Sequence, residues 1–226
     1  MSSELPRVPR EGIPLGRAAF LGVFGLGAAG IAAAPSLSKA LDGVLPSTAG
    51  LIPSAGWRIY TVSSPMPTFD PASFALTIGG AVANPVTLSW DAIGKLAMEQ
   101  QTSDFHCVTG WSVNNVAWEG FRPQTIIDLV KPAADVTHIS FVSMEQPYVD
   151  QLTMDQFTLK DTIIATAMDG KPISREHGAP LRLVIPEMYG YKSVKWVQEI
   201  RFETKPTEGF WEQRGYDTDA WVGRSN

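Results

Sequence analysis

The stretch Asp104-Phe105-His106-Cys107-Val108-Thr109-Gly110-Trp111-Ser112 carries the only cysteine of the chain, after a candidate strand and just before a glycine. A cysteine kept for packing fits best among aliphatic side chains, where it behaves as a small buried hydrophobe. Here its neighbours are polar and aromatic. A working thiolate needs nearby donors or positive charge to lower its pKa. His106 is adjacent in sequence, although on a strand it points to the opposite face. A lone cysteine also excludes an internal disulfide and a zinc site built from clustered thiolates. Two chemistries remain open from the residues alone. One is a soft-metal or redox-metal site on Cys107. The other is a cysteine nucleophile with His177 or His138 as base, for which no local hydrolase signature is present.

A second stretch, His177-Gly178-Ala179-Pro180-Leu181-Arg182, is followed by Tyr189-Gly190-Tyr191-Lys192-Ser193-Val194-Lys195-Trp196. Arg182, Lys192, Ser193 and Lys195 offer donors beside glycines that allow close backbone approach, and Ser193 and Lys195 share a face if the segment is a strand. Such a cluster suits a phosphate or another anion. A solvated edge strand guarded by lysines accounts for the same pattern.

Around these stretches the chain reads as short strands with turn punctuation. Residues 74–78 alternate and stop at Gly79-Gly80. Ser89 is a candidate N-cap for a short helix through Leu96, and Val116 to Trp118 is a candidate strand. Pro123 opens a helix to about Val130. His138 to Val142 alternates again, and Thr153 with Gln156 has capping-box spacing for a helix ending near Leu159. Strands are expected at 163–168, 181–185 and 194–202. Strands outnumber helices and no regular βαβ alternation is present, so the expected class is a mixed, strand-rich α+β domain.

Composition supports one such domain. The 226 residues are 44% hydrophobic and 18% charged, enough apolar material for a core and too little charge for a disordered chain. The net charge of −5 comes without a long run of either sign, which argues against nucleic acid as a partner. The first residues read as an address. Arg7, Arg10 and Arg17 precede an uncharged stretch from Ala18 to Ala34, the layout of an export signal. Gly16-Arg17-Ala18-Ala19-Phe20-Leu21 resembles a twin-arginine signal in which Ala18 replaces the second arginine. Ala32-Ala33-Ala34 has the form of a peptidase site, but Pro35 disfavours cleavage, so an uncleaved anchor with the domain outside is also consistent. The expected organisation is a signal or membrane anchor over 1–34, a linker over 35–56 and one domain over 57–226.

The run Phe105 to Ser112, with Trp118-Glu119-Gly120 downstream, resembles the molybdopterin-binding oxidoreductase family, which includes sulfite oxidases and the periplasmic methionine-sulfoxide reductase catalytic subunit. The His177–Arg182 and Tyr189–Trp196 stretches and Gly209-Phe210-Trp211-Glu212 resemble the same family in the same order. The likeness runs from about Trp57 to Trp221. It implies a sulfite-oxidase-type molybdopterin-binding domain and an exported, periplasmic enzyme, with Cys107 as the molybdenum ligand. It further implies cofactor contacts from Arg58, Thr61, Val62, His106, Ser143, His177, Arg182, Lys192, Ser193, Val194 and Lys195. The implied chemistry is two-electron oxygen-atom transfer at a molybdenum–molybdopterin cofactor. No haem motif is present, so electrons are expected to pass to or from a separate cytochrome or quinone-linked membrane subunit. The arginine-rich run that follows the metal cysteine in sulfite oxidases is replaced by Val108-Thr109-Gly110-Trp111-Ser112. A neutral sulfoxide or N-oxide is therefore the expected small-molecule substrate, with Trp111, Asn114, Asn115 and Tyr148 as candidate pocket residues. A sulfite-oxidising enzyme of the same fold is the alternative, and a scaffold domain that has lost the metal is the alternative from another class.

Overall fold

The computed structural model describes residues 56–224. The expected signal or anchor over 1–34, and the linker except Gly56, lie outside the described residues. Among the described residues no helix is long and apolar enough to cross a membrane.

Two five-stranded sheets organise the chain. The first has β1 (Ala75–Gly80), β2 (Val86–Ser89), β5 (His138–Ser143), β6 (Val149–Thr153) and β10 (Val197–Glu203), in the order β2-β1-β10-β5-β6. The second has β3 (Glu99–His106), β4 (Ser112–Phe121), β7 (Ile163–Met168) and β8 (Lys171–Pro172) in that order, with β9 (Arg182–Val184) paired to β7. Only β1 and β10 run parallel, with Thr77 opposite Glu199; every other pairing is antiparallel. The helices are short: α1 (Trp90–Ile93), α2 (Pro123–Val130) and α3 (Met154–Phe157). This is the expected strand-rich α+β class.

Local chemistry explains most of these elements. In β1 the alternation buries Leu76 and Ile78 against the main core, where Phe141, Ile200 and Phe202 meet them. Ser89 accepts from the Ala92 N–H and caps α1, but the helix ends at Ile93 instead of reaching Leu96. Thr153 and Gln156 form the full capping box that opens α3. Pro123 takes the first turn of α2, where its missing N–H leaves no broken bond.

The expected strand over 194–202 begins only at Val197. Residues before it are loop, because Trp196 adopts φ 52° and its carbonyl accepts from Met144 N. β6 carries buried Asp150 and Gln151 among its core-facing residues, so its pattern hid it from apolar periodicity.

A second, smaller core lies on the other sheet, built from Trp57, Ile59, Phe105, Trp118, Ile163 and Val184 among others. It sits under the turn that carries Cys107. At Gly120 the β4–β7 ladder shifts register, and a Cβ there would overlap the Ile164 carbonyl oxygen and lie 2.6 Å from Ala165 Cα. Gly79, by contrast, faces open space. Gly120→Ala is therefore expected to destabilise the fold by about 2–4 kcal/mol. Gly79→Ala should stay within about 0.5 kcal/mol of the parent. Urea unfolding of the two variants checks this, and equal midpoints would contradict the close approach.

Candidate active site

Cys107 sits at the top of the β3–β4 hairpin. Its N–H donates to Trp111 O (2.9 Å) and its carbonyl accepts from Gly110 N (3.0 Å), with Gly110 at φ 90° to close the turn. The sulfur lies 3.2 Å from Thr109 Oγ1. Burial pushes the thiol above its ordinary pKa, against the pull of Thr109, the Arg58 charge and Trp111. Left to itself the sulfur keeps its proton, so a thiolate here requires a cation on the sulfur. Aromatic rings wall the turn: Trp111 packs against Trp57 (5.9 Å), Phe105 (6.0 Å) and Tyr60 (6.5 Å, stacked). Trp111 Nε1 is buried without a hydrogen-bond partner.

The second stretch folds against this hairpin. Gly190 N donates to His106 O (2.8 Å), and a Cβ at Gly190 would press into the Phe105 ring. Gly178 ends a short 3-10 turn at φ 108°, and a Cβ there would lie 2.7 Å from Lys195 Cβ. Glycine at both positions lets the loop lie flat beside Cys107.

The close approach brings two cations and a histidine together. Arg182 is 2% exposed, clasped by Phe105 (5.0 Å) and Trp118 (5.3 Å), and donates from Nη1 to His177 O (3.1 Å). Its Nε has no partner, and no carboxylate among the described residues forms an ion pair with it. Burial draws its pKa down to about 10, so it keeps its charge. The Lys195 ammonium is turned inward. It donates to Tyr60 O (2.7 Å) and Glu176 O (3.4 Å), and lies 4.0 Å from the Trp196 ring centroid. Burial, with the like charge of Arg182, lowers its pKa, while Glu145 opposes the shift. Glu145 itself accepts from Val62 N (2.8 Å) and Ser63 N (3.2 Å), tying the entering segment to the site. His177 is buried edge-on to Trp57 (4.8 Å), and burial with the two cations lowers its pKa to about 4. Its imidazole is neutral at pH 7 and can still donate one hydrogen bond.

The sequence-based site residues divide. Arg58, Thr61, Val62, Cys107, His177, Arg182 and Lys195 converge on one region, Arg58 exposed at its mouth. His106 holds Ser112 Oγ through Nδ1 (2.7 Å) and contributes its carbonyl to the loop. Ser143 Oγ donates to Lys195 O (2.8 Å) and accepts from Glu145 N (2.9 Å), so it fixes the backbones of two site residues. Ser193 Oγ accepts from Ile185 N (3.2 Å), and Val194 packs in the main core.

Lys192 departs from expectation: its ammonium is spent on Asp150 (2.7 Å), Gln151 O (3.0 Å) and Glu212, away from the other cations. Two buried carboxylates attract it more strongly than an external anion can once it is desolvated. The candidate pocket residues Asn114 and Asn115 are exposed on β4. Tyr148 instead donates to Tyr191 O (2.5 Å).

Tyr216 was not among the expected residues. It stands edge-on to Tyr191 (5.2 Å) and against Trp211 (5.0 Å), and its phenol pKa is raised to about 12 by burial and by nearby Cys107 and Tyr60. It lies over a hundred positions from Cys107 in sequence, in a segment whose only signal was the preceding Gly209-Phe210-Trp211-Glu212.

A buried thiol, beside a buried Arg182 that has no carboxylate partner and an inward-turned Lys195, fits a metal held by sulfur together with a phosphate-bearing organic part. The arrangement suits one class: a cofactor-dependent redox domain with a single thiol available as a ligand. The chain matches the oxidoreductase molybdopterin binding domain over residues 63–211 and belongs to that family. It is a molybdopterin-dependent oxidoreductase, and the donors present fit that cofactor.

Among its relatives is the uncharacterized oxidoreductase YuiH of Bacillus subtilis, 32% identical over 154 residues, covering 67% of this chain and 77% of that protein. The protein-methionine-sulfoxide reductase catalytic subunit MsrP of Campylobacter jejuni is 31% identical over 160 residues, covering 64% of this chain and 54% of that protein. The chain thus spans about half the length of the MsrP relatives it matches. The sulfane dehydrogenase SoxCD from Paracoccus pantotrophus aligns with a TM-score of 0.58 at 18% identity, over 63% of this chain and 41% of that one. That likeness supports the sulfite-oxidase-type fold alone.

His177 gives a stability test. Between pH 6.5 and about 4 the unfolded chain binds a proton that the folded chain refuses, so stability falls as pH falls through that window. The loss of stability is nil above pH 6.5 and reaches about 3 kcal/mol below pH 4. Urea unfolding of the cofactor-free chain at pH 7 and pH 4.5 should show a drop that His177→Asn makes smaller. An identical drop in both proteins would assign it to other groups.

Proposed function

We propose that the chain reduces a neutral sulfoxide, with Cys107 as the molybdenum ligand, and exchanges electrons with a separate carrier. The observation that carries this is the turn after Cys107, where a Trp111 indole N–H and a Thr109 hydroxyl stand in place of cations. A neutral donor can donate to a sulfoxide oxygen without demanding an anion. The names of the MsrP relatives favour the same substrate class, and the words catalytic subunit in those names favour a separate electron partner.

The bound cofactor supplies two-electron oxygen-atom transfer, and the protein binds, orients and tunes it. In this reading Cys107 Sγ would hold the metal, and Arg182 and Lys195 would hold the phosphate. His177, neutral at working pH, and the Arg58–Val62 segment would contact the organic part. Ser143 and Glu145 position Lys195 and that segment. Reduction of a sulfoxide consumes two electrons and two protons and releases sulfide and water. Tyr216, a phenol protonated at neutral pH and packed against Tyr191 and Trp211, would supply one of those protons. The domain is assigned to 57–226, with residues 1–34 directing export or tethering it to a membrane.

A sulfite-oxidising reading has one observation in its favour, the Arg58 charge that acts on Cys107 from the mouth of the site.

The full chain from a host that makes molybdopterin should carry near-stoichiometric molybdenum with fluorescent pterin. Cys107→Ala should lose the metal. A well-folded protein from that host without molybdenum would overturn the reading.

With a chemical reductant the holoenzyme should reduce dimethyl or methionine sulfoxide, and Tyr216→Phe should lower kcat by about 10²–10⁴-fold with unchanged metal content. Turnover of sulfite but no sulfoxide, abolished by Arg58→Ala, would establish the second reading instead.

A further inference from the structure

Lys192, Asp150 and Glu212 form an ion cluster at the junction of three segments. Asp150 lies on β6, Lys192 in the loop before β10, and Glu212 in the short 3-10 turn Glu212–Arg214. The Lys192 side chain is 1% exposed, and those of Asp150 and Glu212 are 2% exposed. Asp150 Oδ2 and Glu212 Oε2 are buried with no partner. Such clusters are weak devices for stability, since packed apolar side chains of similar volume serve as well or better. What directional ionic bonds fix is relative position.

The parts fixed here lead to Tyr216. Phe210 N donates to Val149 O (2.8 Å), and the Phe210 ring stacks on Tyr148 (5.5 Å). A Cβ at Gly209 would lie 3.0 Å from Asp150 Oδ1. On the other side of Glu212, Tyr216 N donates to Trp211 O (3.2 Å), and the Tyr191 hydroxyl donates to Asp217 O (2.7 Å). Tyr191 is the residue before Lys192 and meets the Tyr216 ring edge-on. The Tyr216 phenol is therefore carried by a segment whose anchorage to the cofactor-side loop runs through Lys192 and Tyr191.

We propose that Lys192, with Asp150 and Glu212, is a positioning residue: the ion cluster latches the segment 209–217 onto the loop 189–195 and so holds the Tyr216 ring against Tyr191, on the loop whose Gly190 N bonds to His106 O next to Cys107. The catalytic consequence rests on the reading of Tyr216 as proton donor; the latch itself does not.

The test uses the full chain in two forms. In the cofactor-free form, alkylation of Cys107 by iodoacetamide reports how closely the segment covers the thiol. Glu212→Ala and Lys192→Met should each speed labelling about tenfold or more, the factor expected when a charge-assisted hydrogen bond is lost from the closed state. Glu212→Gln, which keeps an oxygen on the ammonium, should restore slow labelling. Hydrogen exchange of 209–217 should rise in the first two variants and fall back in the third, while β1 and β5 stay protected. General destabilisation would expose all strands together and would overturn the proposal, as would unchanged labelling in both Glu212→Ala and Lys192→Met.

In the loaded form, Glu212→Ala should lower kcat with little change in KM or metal content. Loss of pterin from Lys192→Met at wild-type labelling would return Lys192 to the cofactor and overturn the latch. If Tyr216→Phe keeps wild-type kcat while labelling still responds, the donor reading fails and the latch stands.

Discussion

A buried guanidinium with no carboxylate beside it is the constraint from which the site follows. Removing a charged group from water costs several kcal/mol unless polar partners replace the solvent. Arg182 has one protein acceptor, His177 O, two aromatic faces and an Nε with nothing to bond. Its companion Lys195 finds backbone carbonyls, with Glu145 as the acid that bears on it. The fold sustains this because β9 is clamped on β7 and because Leu183 N and Val197 N bond to Val194 O and Leu181 O across the loop. An anionic ligand would complete the arrangement, and its binding would then be linked to the stability of the site.

The same logic acts with opposite sign at Cys107 and His177. Burial raises the pKa of the thiol, and burial beside two cations keeps the imidazole neutral. In both groups desolvation favours the uncharged form. Near the thiol the donors are an indole, a hydroxyl and a phenol, with a single exposed arginine at the rim. The site is thus cationic at its deep end and neutral around the thiol.

The hairpin that carries Cys107 was legible because a lone cysteine before a glycine and among aromatics has few structural explanations. Arg182 and Lys195 were legible for a related reason: cations beside glycines suit close approach to an anion. Lys192, in the same run, carried the same local signal and went elsewhere, since its partners Asp150 and Glu212 are distant in sequence. Tyr216 was invisible because nothing near it in the chain is unusual; its contacts with Tyr191 and Trp211 arise only on folding. β6 escaped notice because its buried positions include an aspartate and a glutamine, whose burial makes sense only with Lys192 and Thr207 in place.

By itself the sequence determined the strand-rich class, the caps of α1 and α3, the Cys107 turn and the presence of an anion-seeking cluster, since each depends on neighbours within a few residues. Only the tertiary structure decided which lysine lies beside Arg182 and which is spent on buried carboxylates, which hydroxyls are consumed in holding backbone, and which tyrosine packs against Tyr191. Those outcomes depend on which charges and rings lie within a few ångströms after folding, and local sequence carries almost no record of partners brought together from far along the chain.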